Sequence, residues 1–290
     1  MKLFDYELPL DYEALSLGGG HKAFMTCYLP TDHREYSEGR RRPAVIVIPG
    51  GGYRYCSARE AEPVALQYTA QDMASFVLIY STGDDAGYPR CLFEALSAVK
   101  TIREHAEEWE INPDQISLIG FSAGGHLAAS CGAFWHTDFV KRAFGDNESV
   151  RPNAILLSYP VISTGHLAHA GSVKNLLGEN PDPTLLGLNS LEKQVTEFFP
   201  PTFLWHTATD KTVPVANSIV MAASLAEKGI LFELHIYPTG PHGLALSDER
   251  TAKIDENGNL MQRLLEKRPR AWMGESIRFL KETVFKTVQS

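Results

Sequence analysis

An alternation restricts this chain more than any single motif does. Strand-length runs rich in apolar residues recur at residues 44–48, 76–80, 116–119, 154–158, 202–206 and 231–237, the first of them unbroken. Between them lie segments with helical spacing of apolar residues, at about 58–70, 92–109, 123 to the mid-130s and 215–228, the last stopping at Gly229. A further amphipathic helix is expected over 271–288. Strands covered on both faces read as unbroken apolar runs, and strands that alternate with helices pair in parallel through crossovers. The pattern predicts one α/β domain over residues 1–290, its mostly parallel central sheet flanked by helices. Upstream of Pro49, residues 23–29 are the best candidate for an antiparallel strand. Residues 159–201 hold no clear strand and are rich in Gly, Asn and Pro. An excursion of that length usually covers a site, so a small cap is expected from about 160 to 200.

Charge and hydropathy remove whole classes of partner. The 35 acidic residues outnumber the 27 basic ones, for a net charge of −8. The dense basic runs, Arg40-Arg41-Arg42 and Lys267-Arg268-Pro269-Arg270, are short and isolated. Neither a nucleic acid nor an anionic membrane surface is an expected partner. No run approaches the roughly 18 apolar residues needed to cross a bilayer. Asp5 and Glu7 interrupt the N-terminus where a signal peptide needs an apolar stretch, which leads to the expectation of a cytoplasmic protein. Cys27, Cys56, Cys91 and Cys131 form no CxxC pair and are expected as free thiols. No heptad or apolar stripe announces an interface, and homo-oligomerisation stays open.

In an open α/β sheet, ligands bind beyond the carboxyl ends of the strands. Three strand ends carry chemistry. Gly120-Phe121-Ser122-Ala123-Gly124 follows the 116–119 run and opens a helix, the context that a G-x-S-x-G nucleophile elbow requires. A serine hydroxyl needs a base, itself oriented by a carboxylate, and on this scaffold the order is Ser, Asp/Glu, His. Asp210 lies four residues beyond the 202–206 run, and His242 lies five beyond the 231–237 run. His126, inside the helix after the elbow, is expected to pack or cap. The third strand end is Pro49-Gly50-Gly51-Gly52-Tyr53. A glycine loop here, with the amide of Ala123, can build an oxyanion hole. Phosphate binding is the rival use, but neither a Lys-Ser/Thr pair nor a G-x-G-x-x-G pattern is present. His166 and His169 have a ligand-like spacing without an evident third partner, so no metal and no organic cofactor is expected.

With these residues in view, the chain resembles α/β-hydrolases of the hormone-sensitive-lipase-like and bacterial acetyl-esterase group. The resemblance runs from about residue 44 to 272. Pro49–Tyr53, the string GFSAGGHLA from Gly120, PPTFLWHTATDKTVPV from Pro200 and the His-Gly-Leu at His242 carry it. It implies Ser122 as nucleophile, Asp210 as orienter and His242 as base, with Gly51, Gly52 and Ala123 as oxyanion donors. The lipase-like branch usually has His before its glycines. Pro49 stands there in this chain, as in the branch associated with small-ester, acetyl and xylan-related esterases.

The 49 residues before Gly50 are too few for a helical N-terminal cap, which suggests an open acyl pocket and short acyl groups. The expected function is a serine carboxylesterase acting on a small ester, acetyl above all, with acetylated sugars and xylo-oligosaccharides as candidate substrates. Tyr53, Tyr55, Tyr88 and Trp272 are candidates to line the substrate site, although aromatic residues serve cores equally well. An amidase, formamidase or small peptidase on the same triad remains an alternative. From another class, so does a non-catalytic ligand-binding protein of this fold.

Overall fold

The computed structural model describes residues 1–32, 35 and 39–285. Eight strands form one sheet: β1 (Lys2–Glu7), β2 (Phe24–Leu29), β3 (Arg42–Ile48), β4 (Ala74–Ile79), β5 (Ile111–Phe121), β6 (Ala154–Ser158), β7 (Thr202–Thr207) and β8 (Phe232–Tyr237). Their order across the sheet is β1-β2-β4-β3-β5-β6-β7-β8. β2 runs antiparallel to both its neighbours, and the six strands from β4 to β8 are parallel. The helices are α1 (Glu62–Thr69), α2 (Arg90–Glu104), α3 (Ala123–Phe134), α4 (Asp138–Phe144), α5 (Ala170–Leu177), α6 (Pro183–Leu188), α7 (Ala216–Glu227) and α8 (Ala271–Arg278). The predicted mostly parallel α/β architecture is the one observed.

β3 shows why an unbroken apolar run was needed. Ile46 and Ile48 pack with Leu96 and Val99 of α2 and Leu127 of α3. Val45 and Val47, on the opposite face, pack with Val64 and Tyr68 of α1 and Trp272 of α8. Every one of these four strand side chains is fully buried. Each such burial stabilises the fold by about 1.5–3 kcal/mol, and truncating Ile46 to alanine would cost about 2–5 kcal/mol.

Two boundaries differ from those read in the sequence. α2 ends at Glu104 rather than near 109, because the chain turns and reaches a positive φ of 57° at Glu110. Trp109 is thereby freed to stack on His105 and meet Phe4 and Tyr6 of β1. At the C-terminus α8 continues as a π-helical segment, Phe279–Val284; the expected end of that helix at 288 lies outside the described residues. All four cysteines are free. No helix among the described residues is long and apolar enough to cross a membrane.

The sheet order places the site. The chain leaves β3 for β4 on one side and returns to β5 on the other, so the loops after β3 and β5 begin side by side, with Ile48 paired to Gly120. Such a reversal opens a crevice at the carboxyl ends of the strands. Residues 159–201 fold into α5, α6 and a 3₁₀ turn at Leu191–Lys193. His169, Gly171 and Asn175 from this segment line the cleft.

Candidate active site

β5 delivers Ser122 on a strained turn. Its φ and ψ of 53° and −116° lie in a region that side-chain-bearing residues rarely adopt. Two tethers hold it there: Ser122 N–H donates to Ser158 O at 3.0 Å, and Val161 N–H donates to Ser122 O at 3.0 Å. The flanking glycines are steric necessities. A methyl group at Gly120 would be driven into the carbonyl of Gly124, and one at Gly124 into the carbonyls of Ile48 and Pro49.

The loop after β3 meets this turn. Gly51 has a φ of 127°, and a side chain there would strike the Tyr55 carbonyl. Gly51 and Gly52 line the cleft beside Ser122, while Ala123 is buried at the first position of α3. Among the described residues, the N–H groups of Gly51, Gly52 and Ala123 find no acceptor. Asn175 of α5 donates from Nδ2 to Gly52 O at 2.8 Å and so fixes the orientation of that carbonyl.

His242 follows β8, three strands away from β5, and side-chain bonds bring it back. The hydroxyls of Thr207 and Thr209 donate to Gly240 O at 2.8 and 3.1 Å, pinning the loop above β7. On its far side Arg59 donates to the carbonyls of Gly243 and Thr251, and Ala245 N–H donates to the Tyr159 hydroxyl at 3.0 Å. Between these anchors His242 Nε2 lies 2.8 Å from Ser122 Oγ, and Nδ1 lies 2.6 Å from Asp210 Oδ2. With the proton on Nδ1, the ring donates to the carboxylate and Nε2 accepts from the serine hydroxyl.

Asp210 is saturated with donors. Its Oδ1 accepts from the backbone of Thr212 and Val213 at 2.9 and 3.0 Å. A second imidazole, His206, lies 3.3 Å from Oδ2. Burial alone would raise this carboxyl, but the bonds from His206 and His242, with the Val213 amide, hold it well below the usual carboxylate range. Asp210 therefore stays ionised and keeps His242 in one tautomer.

Beneath the site runs a second buried chain of bonds. Glu60 Oε2 accepts from Gly50 N–H at 3.0 Å, and Oε1 accepts from the Tyr159 hydroxyl at 2.7 Å. Glu60 thus ties the glycine loop to the Tyr159 phenol that also holds Ala245, while the Tyr159 ring meets His242 edge-on at 5.0 Å. Sequence reasoning missed Glu60, Tyr159, His206 and Asn175. Tyr159 carried a usable signal, since it stands directly after a strand; Glu60 carried none, because a glutamate in a polar turn looks solvated.

Of the four aromatic candidates the structure brings Tyr55 alone to the cleft, where it is half exposed. Tyr53 is buried, with its hydroxyl on His126 Nδ1 at 2.9 Å. Tyr88 packs against Phe134 and Phe139, outside the cleft. Trp272 has no exposed surface, stacks on Trp205 and donates to Ala245 O. Their apolar rings are worth more to the core than to a wet cleft. His126 packs as expected, its Nε2 on the Asn189 carbonyl at 2.9 Å. His169 turns Nδ1 to Ser172, capping α5, and faces the cleft without His166. Burial, and then the nearby His242, lowers its imidazole.

The resulting cleft has a volume of about 480 Å³, with Ser122 and His242 in its wall. It can present a hydroxyl, a base and unpaired amides to one small polar substrate.

Comparison with known proteins gives the family. Residues 25–225 match the BD-FAE family. An endo-1,4-beta-xylanase B of Butyrivibrio fibrisolvens is 40% identical over 74% of this chain and 34% of its own length. An acetylxylan esterase of Xylanibacter ruminicola is 34% identical over 79% of this chain and 45% of its own. The chain thus spans less than half the length of these curated relatives. Among solved structures, an acetyl ester-xyloside bifunctional hydrolase from Caldicellulosiruptor lactoaceticus superposes with a TM-score of 0.79 at 34% identity, covering 97% of this chain and 93% of that one. A carboxylesterase from Lactobacillus plantarum WCFS1 reaches 0.83 at 27% identity, covering 97% and 98%. The family match spans well over half of the chain and the architecture agrees: this protein belongs to the BD-FAE family and is built on an α/β-hydrolase fold.

Proposed function

We propose that the protein is a serine carboxylesterase that removes short acyl groups, acetyl above all, from sugar esters such as acetylated xylo-oligosaccharides. The observation that carries this reading is the continuous line Ser122 Oγ, His242 Nε2, His242 Nδ1, Asp210 Oδ2, with steps of 2.8 and 2.6 Å at its two hydrogen bonds. His242 takes the Ser122 proton as the oxygen attacks the ester carbonyl. The amides of Gly51, Gly52 and Ala123 receive the oxyanion, and His242 returns the proton to the departing alcohol. Water, deprotonated by the same imidazole, then attacks the acyl-enzyme and releases the acid. Asp210 stabilises the imidazolium that appears at each step. The acetyl and xyloside preference draws support from relatives whose names specify an acetylxylan esterase and an acetyl ester-xyloside hydrolase.

The test is covalent labelling by a fluorophosphonate together with an acyl-chain series of p-nitrophenyl esters. Labelling should vanish in Ser122→Ala while the fold persists, and acetyl should be turned over faster than octanoyl. Undiminished labelling of that variant would remove the nucleophile from the account; a longer-chain optimum would remove the acetyl preference.

A further inference from the structure

The cleft's charge runs against that of the whole chain. The sequence carries 35 acids and 27 bases, yet the cleft is lined by four cations, Arg54, Arg59, Lys253 and Arg263, and by one carboxylate, Glu60. Glu60 is bonded to two neutral donors, Gly50 N–H and the Tyr159 hydroxyl, so one negative charge stands against four positive ones. Arg59 spends its guanidinium on backbone carbonyls, which leave its charge in place. Arg54, Lys253 and Arg263 are exposed, and none of the three forms a salt bridge with the described residues.

Two of these cations are placed by a built feature. A small hairpin closes through the bridge between Ile254 and Leu260, with Met261 N–H on Lys253 O at 2.8 Å and Asp255 N–H on Asn259 O at 2.8 Å. Lys253 and Arg263 stand at its two ends and line the cleft together. Asp255 turns its carboxylate inward, onto the amides of Asn257 and Asn259. The hairpin belongs to the stretch that follows His242, and Arg59 clamps that stretch at Gly243 and Thr251. A base that returns its proton to the leaving oxygen must stand on the alcohol side of the ester. Lys253 and Arg263 line the same cleft as that base, where a charged substituent on the leaving alcohol can meet them.

We infer that this wall recognises an anionic leaving group: the preferred esters carry a carboxylate on the alcohol portion, as in an oligosaccharide substituted with a uronate. This rests on the esterase reading and adds a substrate class to it. Two measurements on the full chain test it. The kcat/KM values of acetylated xylo-oligosaccharides with and without a uronate substituent are compared in dilute buffer and in about 0.5 M salt. Binding of the same oligosaccharides after deacetylation is measured by calorimetry, which needs no turnover. The uronate member should be favoured by about 3- to 10-fold at low ionic strength in each measurement. That ratio should fall toward one at high salt, and in the Lys253→Gln/Arg263→Gln variant whose fold is checked by circular dichroism. Lys253→Gln alone serves if the double variant does not fold. A ratio near one in the unmodified protein, or a preference that survives both salt and substitution, overturns the inference. Absent ester turnover with uronate-selective binding retained overturns the esterase reading and leaves the anion site standing.

Discussion

After β3 and β5 the site is made of backbone: the amides of Gly51, Gly52 and Ala123, and a serine held on a turn that tolerates nothing larger than hydrogen at Gly120 and Gly124. After β7 and β8 it is made of side chains, with Asp210, His206, Thr207 and Thr209 drawing the His242 loop across three strand widths. The first half is fixed by local sterics and the second by hydrogen bonds between residues distant in sequence. A backbone half fails by displacement when a methyl group is added. A side-chain half fails by losing one donor or acceptor while its chain path persists.

The largest effect should come from the side-chain half. Asp210→Asn keeps the shape but loses the charge that opposes the imidazolium and the acceptor that fixes the tautomer. Ester turnover should drop by about 10⁴-fold with little change in melting temperature. Retention of a tenth of the activity would show that the carboxylate is dispensable. On the backbone side, Gly51→Ala should cost about 10²–10³-fold in kcat if the proposed oxyanion hole is right, because the new methyl pushes against the Tyr55 carbonyl and moves an amide assigned to it. A loss confined to KM would contradict that role.

His126 sharpens the comparison, being a side-chain strut under the backbone half. It accepts from Tyr53 and donates to the Asn189 carbonyl, a pairing that suits the neutral ring. Burial pushes its imidazole down to about 4. The unfolded chain takes up this proton first, near a pH of about 6.5, so stability should decline from there to about pH 4 by about 3 kcal/mol and then level off as far as this residue is concerned. Denaturant titrations of the protein and of His126→Gln across that range should diverge; parallel curves would refute the coupling. The smallest effect is expected for Tyr159→Phe, which frees Glu60 Oε1 and Ala245 N–H at once. A stability loss of about 1–3 kcal/mol with roughly tenfold lower kcat is expected, and unchanged kcat would show that the Glu60 link does not reach the chemistry.

The same division explains what could be read beforehand. Gly120-Phe121-Ser122-Ala123-Gly124 and Gly50-Gly51-Gly52 were visible because a steric prohibition fixes residue type at adjacent positions. Asp210 and His242 were reachable from strand order, since each stands a few residues beyond a strand. The fold class followed from the apolar runs. Glu60 and Arg59 escaped because their partners, Tyr159, Gly243 and Thr251, are between about a hundred and two hundred residues away. Tyr53, Tyr88 and Trp272 are candidates for the cleft by residue type, and type does not say which way a ring faces.

By itself, then, the sequence determined the alternation of strands and helices, the turn that exposes Ser122 and the glycine path beside it, all of which depend on neighbours a few residues apart. Tertiary structure alone decided that His242 crosses back over the sheet, that Glu60 sits beneath it, and that Lys253 and Arg263 face the same cleft. Those outcomes depend on which distant groups find one another once the apolar runs are buried, and no local spacing encodes them.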